Sequence, residues 1–138
     1  MDDVLLNKMA IIERCLARID EEYLGHEDEL LTNYTRQDAI VLNIQRACQA
    51  CIDMGIRTLT LLKAATIQES REVFDALVDR KLISSEQAHR MKMMVGFRNV
   101  AVHEYQRLNM KIMKEVIEEH LGDLRVFGQT LLASQLNE

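Results

Sequence analysis

Apolar residues recur along this chain at alternating four- and three-residue steps, the period of a helix with one buried face. Leu5, Met9, Ile12, Leu16 and Ile19 make the first such stripe and predict a helix over roughly Asp3 to Tyr23. Asp2 and Asp3 stand at its start, where a carboxylate caps free N–H groups and meets the positive end of the helix dipole. The polar stretch from Leu24 to Tyr34, with Gly25, reads as a loop. Thr35-Arg36-Gln37-Asp38 has the form of an N-cap with an acidic residue three positions on, and opens a helix running to about Ala64. This second helix carries two stripes side by side. One is Ile40, Ile44, Ala47, Cys51, Met54 and Leu61; the other is Val41, Cys48, Ile52, Leu59 and Leu62. An apolar face that wide belongs to a central helix touching two neighbours.

A short helix near Ser70 to Arg80 uses Val73, Phe74, Leu77 and Val78. Ser84-Ser85-Glu86-Gln87 is a further N-cap signal and opens a helix from about Glu86 to His103. The last helix starts near Asn109 and runs to about Ser134, with Met113, Ile117, Leu121, Leu124 and Leu131 inward. The expected architecture is all-α: an antiparallel four-helix bundle with the short helix near Ser70 in a crossover, and residues 1–138 forming one helical domain.

Composition narrows the class. With 138 residues, 48% hydrophobic and 28% charged, the chain has the make-up of a globular domain and not of a disordered segment. Zero prolines and five glycines agree with helices throughout. The longest stretch without an acidic or basic residue, Val126 to Asn137, is 12 residues, against the about 20 needed to cross a bilayer. The start, Met1-Asp2-Asp3-Val4, lacks the basic-then-apolar layout of a secretory signal, so the cytoplasm is the expected location. The formal net charge of −5 disfavours non-specific binding of nucleic acid. Between Arg80 and Lys114, however, eight bases face two acids, so this window is +6 and the remainder −11. Such polarity can steer an anion to one region, or it can be the solvated face of a basic helix.

Several pairings suggest chemistry and fail on context. Cys48-Gln49-Ala50-Cys51 has C-x-x-C spacing, yet it lies in mid-helix with only Cys15 left over. Redox use needs a helix start, and zinc a second pair, so small residues filling a helix interface explain it better. Glu86 and His89 have the spacing of a carboxylate-bridged metal bundle, but only one copy exists, and no metal site or cofactor is expected. His26 and His120 sit among acids and read as surface residues.

The segment Gly96-Phe97-Arg98-Asn99-Val100-Ala101-Val102-His103-Glu104-Tyr105 is different. On a helix, the neighbours of Arg98 three and four positions away are Met94, Val95, Ala101 and Val102, all apolar. A guanidinium cannot shed its charge there, and needs an anion or several acceptors when buried. Asn99 and His103 are four apart and share a face, so the amide can orient the imidazole. Arg98 and His103 are roughly 140° apart around one helix and ~7.5 Å apart along it. One rigid helix therefore does not aim both at the same atom; either the backbone bends near His103 or a second chain supplies the complementary half. An imidazole moves protons near neutral pH, and a guanidinium stabilises charge gathering on phosphorus. The pair suffices for metal-free RNA cleavage, in which the neighbouring 2′-hydroxyl attacks the phosphate. Tyr105 adds a phenol nearby for hydrogen bonding, stacking or modification. An arginine and a histidine serving only the packing of a bundle remain the plain alternative.

Arg98-Asn99-Val100-Ala101-Val102-His103-Glu104-Tyr105 fits R-x4-H-x-Y with a polar residue directly after the arginine, and resembles the motif of the HEPN superfamily of nucleases, within it the HepT-type toxins of bacterial toxin–antitoxin pairs. Length, helix order and the motif's position near the end of the penultimate long helix extend the resemblance over nearly the whole chain. The resemblance implies a metal-independent endoribonuclease acting on RNA as a homodimer, with two motifs facing one cleft. It implies that Arg98 holds the scissile phosphate, His103 acts as acid or base and Asn99 orients it. It also implies a minimal nucleotidyltransferase antitoxin that attaches AMP to Tyr105. A second reading uses the same residues: a non-catalytic helical adaptor or substrate-binding subunit of that transferase, with Tyr105 as acceptor.

Overall fold

The computed structural model describes residues 1–64, 69–103 and 109–136. Its helices are α1 (Asp3–Tyr23), α2 (Tyr34–Leu61), α3 (Ser70–Asp79), α4 (Ser85–His103), α5 (Met110–Glu115) and α6 (Leu121–Leu136). A 3-10 turn, Glu27–Glu29, lies between α1 and α2, and a π-helical turn, Val116–His120, joins α5 to α6. Among the described residues there is no strand, and no helix is long and apolar enough to cross a membrane.

Ion pairs fix the directions of the helices. Asp2 at the start of α1 takes Arg57 near the end of α2 at 2.8 Å, Lys8 takes Asp53 at 3.1 Å, and Glu22 at the end of α1 takes Arg36 at 3.2 Å. Low numbers meet high ones, so α1 and α2 are antiparallel. The same holds for α1 against the C-terminal arm, through Glu13–Arg125 and Tyr23–Glu118, and for α4 against that arm, where Gln87 bonds Thr130 while Phe97 lines one cleft with Ile112 and Val116. The result is the expected up-down-up-down bundle, with α3 in the crossover between α2 and α4.

The core is where the apolar stripes place it. Leu5, Ile12, Leu16 and Ile19 of α1 are buried, as are Met113, Ile117, Leu121, Leu124 and Leu131 of the last arm. Both stripes of α2 are buried over Ile40 to Leu59, and this helix touches α1, α3, α4 and α6, four neighbours where two are expected. Leu61 is 40% exposed because α2 has reached its last turn there. Phe74 of α3 and Phe127 of α6 meet edge to face, ring centroids 5.6 Å apart, across the centre.

Caps account for most boundaries. Asp2 accepts from the Leu5 N–H at 3.1 Å, and Asn109 from Lys111 and Ile112. Ser84 and Gln87 form a reciprocal capping box: the Ser84 hydroxyl accepts from the Gln87 N–H at 3.0 Å, and the Gln87 side-chain carbonyl accepts from the Ser84 N–H at 3.3 Å. The start of α2 differs from expectation. Asn33, not Thr35, is the cap, its side-chain oxygen taking the Arg36 N–H at 3.1 Å. Starting two residues earlier lets the amide of buried Gln37 donate to the Leu30 carbonyl at 2.6 Å, which fastens the loop to the helix. At the other ends, Lys63 and Lys81 sit at φ 56° and 60°, the left-handed conformation that turns the chain sharply after α2 and α3. Each is followed by an N–H reaching back five residues, Ala64 to Leu59 and Leu82 to Leu77.

Tyr23 ties the π-helical turn to α1. Its hydroxyl donates to Glu118 at 2.5 Å, and burial, with that bond and charge, pushes the phenol well above its usual range. A raised pKa contributes stability that is whole below the unfolded phenol's value of about 10 and is lost as pH climbs from there towards the folded one. Tyr23→Phe is expected to lower stability by about 1 kcal/mol at pH 7, with the gap to the natural chain closing above pH 10. Urea unfolding followed by circular dichroism across that range reads both.

The glycines offer a contrast. A Cβ at Gly55 of α2 would overlap Val73 Cγ1 and crowd Leu77 Cδ1 of α3, whereas one at Gly122 of α6 meets nothing within 4 Å. Val73 is fully buried and stiff at χ1, so it does not yield easily. Gly122→Ala is expected to stabilise by about 0.5–1 kcal/mol through helix propensity. Gly55→Ala is expected to lose that gain and destabilise by about 1–2 kcal/mol. Paired thermal melts decide it.

Candidate active site

Arg98 lies near the end of α4, with Met94, Val95 and Ala101 buried around its base. The sequence demands a partner for a guanidinium so placed, and α2 supplies one. Gln49 Oε1 accepts from Arg98 Nη1 at 2.9 Å. The Nε of Arg98 is buried and has no hydrogen-bond partner among the described residues. No carboxylate lies in salt-bridge range of it there either. Its side chain is thus half-buried and bonded at one nitrogen, with no other partner among the described residues.

The other bases near it are differently placed. Arg90 is bonded to Glu86 one turn earlier on α4, and Lys92 to Asp75 of α3 at 2.5 Å. Arg71 of α3 reaches over Gly96, where a Cβ would stand 3.0 Å from its Nη2. Gly96 therefore admits an arginine from a neighbouring helix. Neither Gln49 nor Arg71 is signalled by the motif. Both arrive from other helices, and only the fold brings them to α4.

Asn99 is exposed on α4, beside Arg98 in sequence. His103 is the last described residue of α4; the contact expected between it and Asn99 lies outside what is described. Tyr105 also lies outside the described residues.

The remaining chemical candidates resolve into structure. Cys48 and Cys51 are buried, and their thiols donate to main-chain carbonyls of Met94 and Leu124 on two other helices, at 3.9 and 3.6 Å. Burial pushes the Cys48 thiol up to about 12, although the charge of Arg98 pulls the other way, and drives Cys51 up as well. Thiols held protonated are poor nucleophiles and poor metal ligands, and act here as small core residues. Glu86 is spent on Arg90, while His89 is exposed. His26 pairs with Glu29 at 2.9 Å, and half-buried His120 stands 3.7 Å from Glu115 and 3.6 Å from Asp123. No group of three or more potential metal ligands occurs among the described residues.

A cleft of about 180 Å3 opens between α4 and the π-helical turn, floored by Met93, Met94, Phe97, Ile112 and Val116. Arg90, Glu115, His120 and Asp123 complete its lining, and neither Arg98 nor Asn99 belongs to it. Its apolar floor and mixed charges do not suit a phosphate. Arg98 lies on another part of α4.

Comparison with known proteins agrees over nearly the full length. The family described as ribonuclease HepT-like matches residues 12–131. The mRNA nuclease HepT of Shewanella oneidensis is 39% identical over 133 residues, which cover 96% of this chain and 99% of that protein. The solved structure of the tri-AMPylated Shewanella oneidensis HEPN toxin in complex with an MNT antitoxin superposes with a TM-score of 0.91 at 38% identity, covering 96% of this chain and 99% of its own. A toxin–antitoxin complex with AMP-PNP gives 0.91 at 37% identity, covering 95% and 99%.

Proposed function

The chain belongs to the ribonuclease HepT-like family of HEPN toxins, and from that premise we propose that it is the toxin of a toxin–antitoxin pair, an endoribonuclease that cuts RNA without a metal. The observation that carries the chemistry is Arg98: a half-buried guanidinium with no carboxylate to neutralise it among the described residues and a buried Nε left unpartnered there. Such a group holds a phosphate diester and gains as charge accumulates on phosphorus in the transition state. His103, five residues on, supplies proton transfer. Asn99 orients it from the preceding turn.

The reaction balances without any added group. The 2′-hydroxyl oxygen next to the scissile phosphate bonds to phosphorus while a neutral imidazole takes its proton. The bond to the 5′-oxygen breaks, and a protonated imidazole delivers a proton to that leaving oxygen. The products are a 2′,3′-cyclic phosphate and a 5′-hydroxyl. Two imidazoles in opposite protonation states serve this best, which a homodimer bringing two copies of Arg98 and His103 to one cleft provides. A bell-shaped pH dependence accompanies such a pair.

With purified protein in excess chelator, RNA is expected to be cut to cyclic-phosphate ends. Arg98→Ala is expected to lower kcat/KM by about a hundredfold or more, and His103→Ala by a similar factor or greater, each with an unchanged helical spectrum and dimer mass. Cleavage that survives both substitutions would show that the motif is not the site.

The proposed partner is a nucleotidyltransferase antitoxin that inactivates the toxin by AMP transfer to Tyr105. The phenol oxygen attacks the α-phosphorus of ATP and pyrophosphate leaves. The added diester carries a negative charge into the motif, where it competes with substrate for Arg98. Incubation with the transferase and ATP is expected to add AMP in a mass spectrum and abolish RNA cleavage, and Tyr105→Phe to prevent both. AMP addition undiminished in Tyr105→Phe would move the modification elsewhere.

A further inference from the structure

The bond that fixes Arg98 is the last of a chain of three polar contacts crossing the bundle. Lys8 of α1 gives its ammonium to Asp53 Oδ2 at 3.1 Å. The other oxygen, Asp53 Oδ1, accepts from Gln49 Nε2 one helical turn earlier on α2 at 2.9 Å. With its amino end taken, the Gln49 amide can present only its carbonyl oxygen to α4, and that oxygen receives Arg98 Nη1. Lys8 and Asp53 are each about one-third exposed, and their charges offset one another. What reaches Arg98 through this chain is a fixed acceptor carrying no net charge.

We propose that Gln49 is a positioning residue for Arg98: it aims the guanidinium from α2 while leaving its positive charge to the phosphate of the substrate. The inference rests on the reading of Arg98 as the phosphate-binding group. An amide suits the task where a carboxylate does not. A glutamate at 49 can place an oxygen in the same position but adds a negative charge beside the guanidinium, forming an ion pair that RNA must then compete with. An alanine leaves the charge intact and the direction unset.

These two failures differ in what they change, so they can be told apart. The probes are cleavage of an RNA oligonucleotide, and binding of the same sequence with 2′-O-methyl groups, which cannot be cut, as a function of salt. Arg98→Ala is expected to remove cleavage and to lower the slope of log affinity against log salt by about 0.7, the loss of one phosphate contact on a single strand. Gln49→Glu is expected to reproduce the reduced slope and to lower kcat/KM by about tenfold or more, while thermal stability holds or rises. Gln49→Ala is expected to lower kcat with the salt slope kept. Adding Gln49→Glu to Arg98→Ala is expected to change nothing further.

If Gln49→Glu cuts and binds as the natural chain does while Arg98→Ala does not, the role of Gln49 is overturned and that of Arg98 stands. Equal losses in Gln49→Glu and Gln49→Ala that track a fall in melting temperature would make the residue structural and also overturn the proposal. If Arg98→Ala itself cuts normally, the underlying reading of the site fails, and the inference with it.

Discussion

The burial of α2 on every side but a narrow strip is the constraint on which the rest of this molecule depends. Helices can approach one another from four directions only if the residues between them are small, and α2 meets this with Ala47, Cys48, Ala50, Cys51 and Gly55. The thiols lie against the backbones of α4 and α6, and Gly55 admits Val73 of α3. Close packing fixes the rotation of α2 about its own axis. Gln49, wedged in sequence between buried Cys48 and buried Ala50, is therefore carried to the seam with α4 that Arg98 faces. A C-x-x-C spacing that suggests redox chemistry on paper is part of the packing that positions the site.

Periodicity makes the helices and their inward faces legible, because an apolar stripe has one stable solution in a bundle of this size. Boundaries depend on competition between local hydrogen bonds, and there the sequence is less decisive. Asn33 and Thr35 are both able caps, and the choice falls to Asn33 once Gln37 can also reach the Leu30 carbonyl. The π-helical turn at Val116–His120 has no local signal of its own, since Glu118 joins Tyr23 only after α1 and the last arm have met. The site divides in the same way. Arg98 stands out in sequence because its helical neighbours are apolar. Gln49 does not: nothing forty-nine residues away in an alternating pattern says which polar position on α2 will face it.

Charge placement lets an acidic chain keep a cation available to an anion. Lys8, Arg18, Arg36, Arg57, Arg90, Lys92 and Arg125 each meet a carboxylate within 3.2 Å. Arg18 and Arg90 pair within their own helices and the other five across to another element, and charges so paired have little field left at a distance. Arg98 meets an amide. A net charge of −5 describes the whole chain and says little about the surroundings of Arg98, which meets no carboxylate among the described residues. The acidic remainder has its own consequence, since a net negative surface repels an anion such as the RNA proposed as substrate. On the proposed reading, non-specific contacts are then weak, and Arg98, which meets no carboxylate among the described residues, is a place where an anion can still be held.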